Sequence, residues 1–207
     1  MLTANDAPAI PLWINGHAFL TLAPTFRDVT NRLNGQVMRR TPMCGRREAE
    51  MAVDAAKSGL QLWQAETPGA RARFLAALGN ALSGYGEHFV RLIVEEPGKD
   101  EAAADMEVAE CIALLSSAGV GDVANVIGIV GNAASPLLGA VRLAAPALKA
   151  GAAVVIRPSP EAPSALFALA ELSGQCGFPD GIISIVYGGD ELLEGLRVAT
   201  ACPLVFS

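Results

Sequence analysis

Short apolar runs alternate with helical patterns throughout the second half of the chain. The predicted strands cover 126–130, 153–156, 182–186 and 204–206, and the predicted helices between them cover 136–150, 162–176 and 191–198. Continuously apolar strands are typical of a parallel sheet that is covered on both faces, because neither side of the strand meets water. The alternation therefore predicts a Rossmann-like parallel sheet with flanking helices, built from right-handed βαβ units.

In the first half of the chain, the spacing of apolar residues changes from a strand pattern to a helical pattern near residue 45. Before that point, Asn15-Gly16 and Asn34-Gly35 lie next to apolar residues. An Asn-Gly pair is the strongest short hairpin signal, because both turn positions need a positive φ. After that point, apolar residues recur at helical spacing, with Thr67-Pro68 as a helix start and Pro97-Gly98 as a break. The pattern predicts an N-terminal β-hairpin followed by a helical segment.

Together the two halves predict one α/β domain over 1–207, with a β-rich arm (1–45), a helical segment (46–119) and a Rossmann-like βαβ core (120–207). Apolar residues make up 52% of the chain and charged residues 17%. Both values depart from an average globular domain in the apolar direction. We expect the apolar surplus to be buried in the core and against a partner, in a homo- or hetero-oligomer formed through an exposed sheet edge and an apolar face.

Charge and residue spacing exclude several classes of function. The net charge is −6 and no basic stripe is present, so we expect no nucleic-acid partner. Arg142, Lys149 and Arg157 interrupt the most apolar stretch, so we expect no membrane span. The N-terminus lacks the basic and apolar regions of a secretion signal, which favours a cytoplasmic protein. The four cysteines have no CxxC or metal-type spacing, which indicates free thiols and no metal site.

Several short motifs occur in a fixed order along the chain. They are Glu96-Pro97-Gly98-Lys99 with Glu107, then Gly128-x-Val130-Gly131, Pro146-Ala147-Leu148-x-Ala150-Gly151, Val154-Val155-x-Arg157-Pro158-Ser159, Gly177-Phe178-Pro179-x-Gly181 and Phe206-Ser207. The ordered series resembles the N-terminal, NAD-binding half of the aldehyde dehydrogenase superfamily. The resemblance implies an incomplete aldehyde dehydrogenase fold, an oxidoreductase ancestry and NAD or NADP as the cofactor. The family's catalytic domain, which carries a nucleophilic cysteine and a general-base glutamate, has no counterpart in the sequence.

The resemblance fails at a motif that serves the chemistry of the family. There, a P-W-N segment follows G-x-V-G, and its asparagine donates a hydrogen bond to the developing oxyanion. Here Asn132-Ala133-Ala134-Ser135 leads into Pro136 without a P-W-N. Loss of an oxyanion donor costs roughly a hundred- to a thousandfold in rate. We interpret Asn132 as a polar cap of the loop and expect no catalytic residue in this chain.

The cofactor motif is altered as well. In the family, the lysine and glutamate of K-P-x-E grip the cofactor ribose, whereas this chain has Arg157-Pro158-Ser159-Pro160. Arginine suits a ribose or a 2′-phosphate, but Pro160 has no acceptor side chain and Glu161 is displaced by one residue. A glycine turn that follows the third predicted strand adds two positions. The candidate cofactor-binding residues are therefore Arg157, Ser159, Gly188 and Gly189, and the resemblance implies NAD or NADP binding that is weak or lost.

Other family elements are also missing. None of the cysteines matches the motif of the family's nucleophile, and neither histidine is paired with a nucleophile; these residues are Cys44, Cys111, Cys176, Cys202, His17 and His88. The stretch 118–126 is shorter than the oligomerisation strands that the family carries at this point.

These observations leave several functional hypotheses. The favoured one is a non-catalytic, aldehyde-dehydrogenase-like protein that acts as a structural or regulatory partner subunit. The alternatives are the cofactor-binding subunit of a split NAD(P)-dependent aldehyde dehydrogenase, which oxidises aldehyde to carboxylate, and a dinucleotide-binding sensor. A gene remnant without a selected role is a further alternative. Because the motifs near Asn132 and Arg157 are altered, we expect a naturally short protein rather than a shortened enzyme.

Overall fold

The computed structural model describes residues 7–117, 125–200 and 204–207. Its strands are β1 Leu12–Ile14, β2 His17–Phe19, β3 Phe26–Thr30, β4 Val37–Pro42, β5 Val126–Val130, β6 Ala153–Arg157, β7 Ile183–Ile185 and β8 Val205–Phe206. Six of them form one sheet in the order β2-β1-β7-β6-β5-β8, and β3 pairs with β4 in a separate hairpin. Strands β7, β6, β5 and β8 run parallel. The predicted Rossmann-like α/β fold is confirmed.

The helices of the described residues alternate with these strands as the sequence predicts. They are α1 Arg46–Ala65, α2 Pro68–Gly84, α3 Gly86–Glu95, α4 Glu101–Ser116, α5 Leu138–Lys149, α6 Ser164–Gln175 and α7 Asp190–Thr200. Helix α1 packs against α7 and β6, whereas α2 packs against α4, α5 and α6. None of the helices in the described ranges is long and apolar enough to cross a membrane.

Local signals place the element ends where the sequence predicts them. Asn15 and Gly16 form the β1–β2 turn with φ values of 56° and 76°. Thr67 caps α2, since its hydroxyl accepts a hydrogen bond from the Ala70 amide at 3.2 Å, and Pro68 takes the first helical position. Both features follow from local stereochemistry, because positive φ favours Asn-Gly and the first helical amide needs no partner.

The N-terminal hairpin is part of the main sheet, which its sequence pattern does not reveal. Strand β1 pairs antiparallel with β7 through Trp13 and Ile185. The Trp13 ring also meets the Phe167 ring edge-on, with the ring centroids 6.3 Å apart. The hairpin therefore covers one edge of the parallel core and leaves β8 at the other edge.

The β3–β4 hairpin docks at the carboxyl ends of the parallel strands. The Thr41 hydroxyl on β4 donates a hydrogen bond to the Pro160 carbonyl at 2.9 Å. Just beyond β4, Cys44 forms a parallel bridge with Gly188. These two contacts bring the arm against the turns that follow β6 and β7, where ligands of open α/β sheets bind.

Candidate functional site

The candidate site lies where the parallel strands β6 and β7 end. Arg157 is the last residue of β6, and Gly188 and Gly189 connect β7 to α7. The structure brings these positions together: the Arg157 Nε donates a hydrogen bond to the Gly188 carbonyl at 3.0 Å. The crevice outside the carboxyl ends of the strands is the general binding position of such sheets.

Arg157 places a guanidinium group in this crevice. Burial lowers its pKa, the positive charge of Arg27 lowers it further, and Asp190 opposes both effects. Only its Nε makes a hydrogen bond within the described part of the chain, so its two terminal nitrogens stay available. The environment thus presents a positive charge that lacks a full counterion.

Gly188 serves packing rather than ligand approach. It is buried, and a Cβ at this position would lie 2.4 Å from the Cys44 carbonyl oxygen and 2.6 Å from the Leu192 Cβ. The space that glycine leaves is therefore filled by the protein itself. Gly189 is more open, because its nearest neighbour would be the Met43 Cε at 3.7 Å.

Ser159 also makes an internal contact. The residue is 9% exposed, its hydroxyl accepts a long hydrogen bond from the Glu161 amide at 3.4 Å, and its carbonyl accepts one from Ala162 at 3.1 Å. Both contacts shape the turn between β6 and α6. Of the four predicted cofactor-binding residues, Ser159 and Gly188 are therefore occupied inside the fold, while Arg157 and Gly189 are half-buried.

Glu161 does not replace the carboxylate that Pro160 lacks. Its two oxygens lie 3.2 Å from the Arg27 guanidinium and 3.5 Å from the Arg32 guanidinium. Sequence reasoning missed both arginines, because no motif marks them and only the docking of the β3–β4 hairpin brings them here. The carboxylate is thus held by the arm.

The loop after β5 has the predicted capped form. The Asn132 side chain accepts a hydrogen bond from the Ser135 amide at 2.9 Å and donates one to the Ser207 carbonyl at 2.6 Å. Its role as a loop cap is confirmed by the first of these contacts. The second contact links the loop to the residue after β8.

A buried carboxylate occupies the start of α5. Glu107 accepts hydrogen bonds from the Leu137 and Leu138 amides at 2.9 and 2.8 Å. Lys99 forms an ion pair with the same carboxylate. Amides at a helix start commonly bind the phosphates of a ligand. Here the protein's own carboxylate takes them.

Most of this chain matches one known protein family. The model described as "Aldehyde dehydrogenase family" matches residues 21–121 and 124–206. The chain belongs to the aldehyde dehydrogenase family. The predicted resemblance to the N-terminal portion of the superfamily is thereby confirmed.

Individual members of the aldehyde dehydrogenase family match over part of their length. Malonate-semialdehyde dehydrogenase of Listeria monocytogenes is 27% identical, over 92% of this chain and 44% of that enzyme. The NADP(+) succinate-semialdehyde dehydrogenase GabD of Escherichia coli is 31% identical, over 78% of this chain and 38% of its own length. The crystal structure of Escherichia coli lactaldehyde dehydrogenase has a TM-score of 0.86 at 25% identity, over 92% of this chain and 45% of that chain. The chain therefore spans less than half the length of these relatives.

None of the cysteine thiols among the described residues of this aldehyde dehydrogenase family member is activated. Burial raises the pKa of Cys44 to about 12, and Glu48 adds to the effect. Burial also raises the pKa of Cys111 and of Cys176, and Cys111 feels Glu107 as well. A nucleophilic cysteine needs the opposite shift, because the thiolate is the reactive form. Cys202 lies outside the described residues.

The remaining titratable candidates make local contacts. His88 Nδ1 lies 2.9 Å from the Arg91 guanidinium, and burial followed by the charge of Arg91 lowers its pKa. His17 Nδ1 lies 2.9 Å from the Asn15 carbonyl. Across the described ranges, no group of three His, Cys, Asp or Glu side chains is placed to hold a metal ion. Most of the segment 118–126, predicted to be too short for oligomerisation strands, lies outside those ranges.

NAD and NADP can be tested against the residues present. A ribose diol needs a free acceptor beside Arg157, but Pro160 offers none and Glu161 is held by Arg27 and Arg32. Pro160 therefore removes the acceptor that the family's motif carries at this position, and Asp190 is the other carboxylate whose charge acts on Arg157. The available nitrogens of Arg157 fit a negatively charged group better than a neutral diol.

Proposed function

We propose that this chain is a non-catalytic member of the aldehyde dehydrogenase family that acts as a structural or regulatory subunit. In this role, β8 receives a partner polypeptide that completes the sheet. The observation that carries the proposal is the exposed apolar edge at β8. This chain covers 44% of the malonate-semialdehyde dehydrogenase and 45% of the lactaldehyde dehydrogenase, so more than half of each relative has no counterpart in it.

The β8 edge has the physical properties of a binding surface. Strand β8 pairs with β5 on one side, and no described strand pairs with its other side. Val205 is 38% exposed, Phe206 is 62% exposed, and Val198 on the preceding helix α7 is 58% exposed. An edge strand with exposed apolar side chains and unpaired backbone groups is a template for another strand. A partner strand would satisfy both the backbone and the side chains.

The absence of catalysis is supported by the state of the reactive groups. The thiols of Cys44 and Cys111 are buried and have raised pKa values, so they resist conversion to thiolates. The side-chain amide of Asn132, which follows the G-x-V-G segment, donates its hydrogen bond to the Ser207 carbonyl. Among the described residues, none of these thiols supplies a nucleophile beside an oxyanion donor.

The test is the mass of the native complex. We expect the 207-residue chain, purified from its own cells, to elute with a second polypeptide or a second copy. Phe206→Lys should weaken this association at least about tenfold, because it places a charge in an apolar contact. Leu22→Lys is the matched control, since Leu22 is fully exposed and lies between β2 and β3.

Two results would contradict the proposal. The first is a monomer at high concentration that Phe206→Lys does not change. The second is a native polypeptide in which the same chain continues through the catalytic half of the enzyme. Equal losses in Phe206→Lys and Leu22→Lys would also remove β8 as the binding edge.

A second candidate function is the cofactor-binding subunit of a split dehydrogenase. The positions of Arg157 and Gly189, which follow β6 and β7 at the carboxyl ends of the strands, favour it. In this case, mixing the chain with a polypeptide that carries the catalytic half should produce aldehyde-dependent reduction of NAD or NADP. Reduction that is unchanged by adding this chain would contradict the split-enzyme function.

A further inference from the structure

We propose that a groove between α3, α4 and the β3–β4 turn binds a basic, amphipathic helix of a partner polypeptide. This acidic groove is open to solvent and has a volume of about 570 Å³. It is lined by one face of α3, by the first two turns of α4 and by Leu33. The inference goes beyond the proposed function, because it assigns a second binding surface that does not include β8.

The centre of the acidic groove is apolar. Val90 and Val94 lie four residues apart on α3, so they share one face of the helix. Val90 is buried and Val94 is half-buried. Leu33 adds a side chain that is 69% exposed. An apolar side chain of a partner would therefore find apolar neighbours from two elements in the same groove.

The β3–β4 turn is held in place before any partner arrives. The Asn31 side chain accepts a hydrogen bond from the Leu33 amide at 2.8 Å, and the Asn31 carbonyl accepts one from the Gly35 amide at 2.8 Å. The Arg32 amide donates to the Glu95 carbonyl at 2.7 Å, which ties the turn to the end of α3. A groove that is formed in advance loses less conformational freedom on binding.

Four carboxylates surround the apolar centre, and none of them forms an ion pair within the described residues. They are Glu87, Glu95, Glu101 and Asp105. Arg91 also lines the groove, but one terminal nitrogen of its guanidinium lies 2.9 Å from His88 Nδ1. Four negative charges and one positive charge give the groove −3, against −6 for the whole chain. The groove therefore attracts a cationic partner.

The position of Glu95 does not serve the stability of the helix that carries it. Glu95 is the last residue of α3, where the helix dipole favours a cation over a carboxylate. The residue is half-buried, so water solvates its charge only in part. Glu101 differs, because a carboxylate suits the start of α4. A cation from a partner would compensate the charge that Glu95 places at the unfavourable helix end.

The spread of the carboxylates favours a polypeptide over a single ion. Within residues 7–117, 125–200 and 204–207, no group of three His, Cys, Asp or Glu side chains is placed to hold a metal ion. The stretch from Glu87 to Glu95 is about 12 Å long at 1.5 Å per residue. About two turns of a helix cover this length, with lysine or arginine at the carboxylates and an apolar side chain between them.

Fluorescence anisotropy of labelled peptides, titrated with the whole chain, tests the groove. The probe is a peptide of about 14 residues with leucine on one face and lysine on the other, a length at which an isolated helix begins to form. One comparison peptide carries glutamate in place of lysine, and another carries serine in place of leucine. We expect only the first peptide to bind tightly, and its binding to weaken as salt is added.

Two variants of the groove are compared with matched controls on α1. Glu95→Lys should weaken binding about tenfold or more, because it reverses a charge that faces the lysines. The same change should not lower the melting temperature, since a cation suits the end of α3. Leu33→Ser should weaken binding at least about fivefold through lost apolar contact. The controls are Glu50→Lys and Leu62→Ser, two exposed positions that do not line the groove.

Several results would overturn the proposal. One is equal binding of the lysine and glutamate peptides, and another is a loss in Glu95→Lys no larger than in Glu50→Lys. Equally tight binding of the serine peptide would show that charge alone is recognised, against an amphipathic partner. Phe206→Lys should bind the peptide as the wild type does; a loss there would place the peptide on β8 instead. The test therefore fails or succeeds independently of the proposed function.

Discussion

Buried charged side chains in this apolar chain lie at helix ends. Glu96 and Glu107 accept hydrogen bonds from amides at the starts of α6 and α5. Arg71 donates to the Glu66 carbonyl after α1 at 2.7 Å, and Lys149 donates to the Ser117 hydroxyl after α4 at 2.8 Å. Carboxylates suit the positive end of a helix and cations the negative end. Each charge thereby finds the partners without which its burial would be costly.

Glu96 predicts a pH dependence of stability. Burial raises its pKa above the ordinary 4.5, while hydrogen bonds from Ser164 and the charge of Arg39 pull it back in part. A raised pKa means that the folded state binds this proton more tightly, so the contribution is full below 4.5 and is lost as the pH rises through the folded value. The advantage of wild type over Glu96→Gln should therefore shrink between acid and neutral pH.

Urea unfolding of both proteins across this pH range measures the difference in free energy of unfolding. Glu110→Gln is the control, because Glu110 is half exposed and pairs with Arg142 on the surface. It removes the same charge from an exposed position. An advantage over Glu96→Gln that grows with pH would show that the folded pKa is lowered, against this prediction.

At the scale of the elements, the sequence predicts order and type but not every partner. The strand 126–130 and the helices around β6 follow from apolar runs and turn residues that act locally. The pairing of β1 with β7 does not, because a hairpin signal says nothing about which distant edge it covers. The same limit applies to the site: Arg157 was predicted from its motif, whereas Arg27 and Arg32 reach it only through the docking of β3 and β4.

The junction of β7 and α7 gives a prediction about packing. An alanine at Gly188 would put a methyl group 2.4 Å from the Cys44 carbonyl, inside van der Waals contact. We expect Gly188→Ala to destabilise the protein by about 1–3 kcal/mol, as overpacking of a buried site does. Denaturant unfolding measures the loss.

The control for this substitution is Gly69→Ala on α2. A Cβ at Gly69 would meet nothing within 4 Å. Alanine is the better helix former, so this variant should be unchanged or more stable by about 0.5–1 kcal/mol. If Gly188→Ala were as stable as Gly69→Ala, the conclusion that Gly188 is closely packed between the arm and α7 would be wrong.

At the scale of the whole molecule, the sheet has a protected centre and two unlike edges. Strand β6 is paired on both sides, and its residues Ala153 to Ile156 are buried. Strand β2 ends the sheet on the side of the hairpin with His17 and Ala18 exposed, and β8 ends the other side with the apolar residues Val205 and Phe206 exposed. The family relatives extend well beyond the length that this chain matches. Under the proposed function, the β8 edge is the one that receives the partner.

Amide hydrogen exchange should show that the centre of the sheet is better protected than its edges, and that this protection changes when a partner binds. Exchange requires opening, and opening costs most where strands are paired and covered on both sides. We expect the slowest exchange in 153–157 and fast exchange in 204–207 of the isolated chain. When the native partner is added, the amides of β8 should slow, because new strand pairing would protect them, while those of β2 stay unchanged as the internal control. Protection that appeared at β2 instead would move the interface to the opposite edge, since the two strands are separated by the whole width of the sheet.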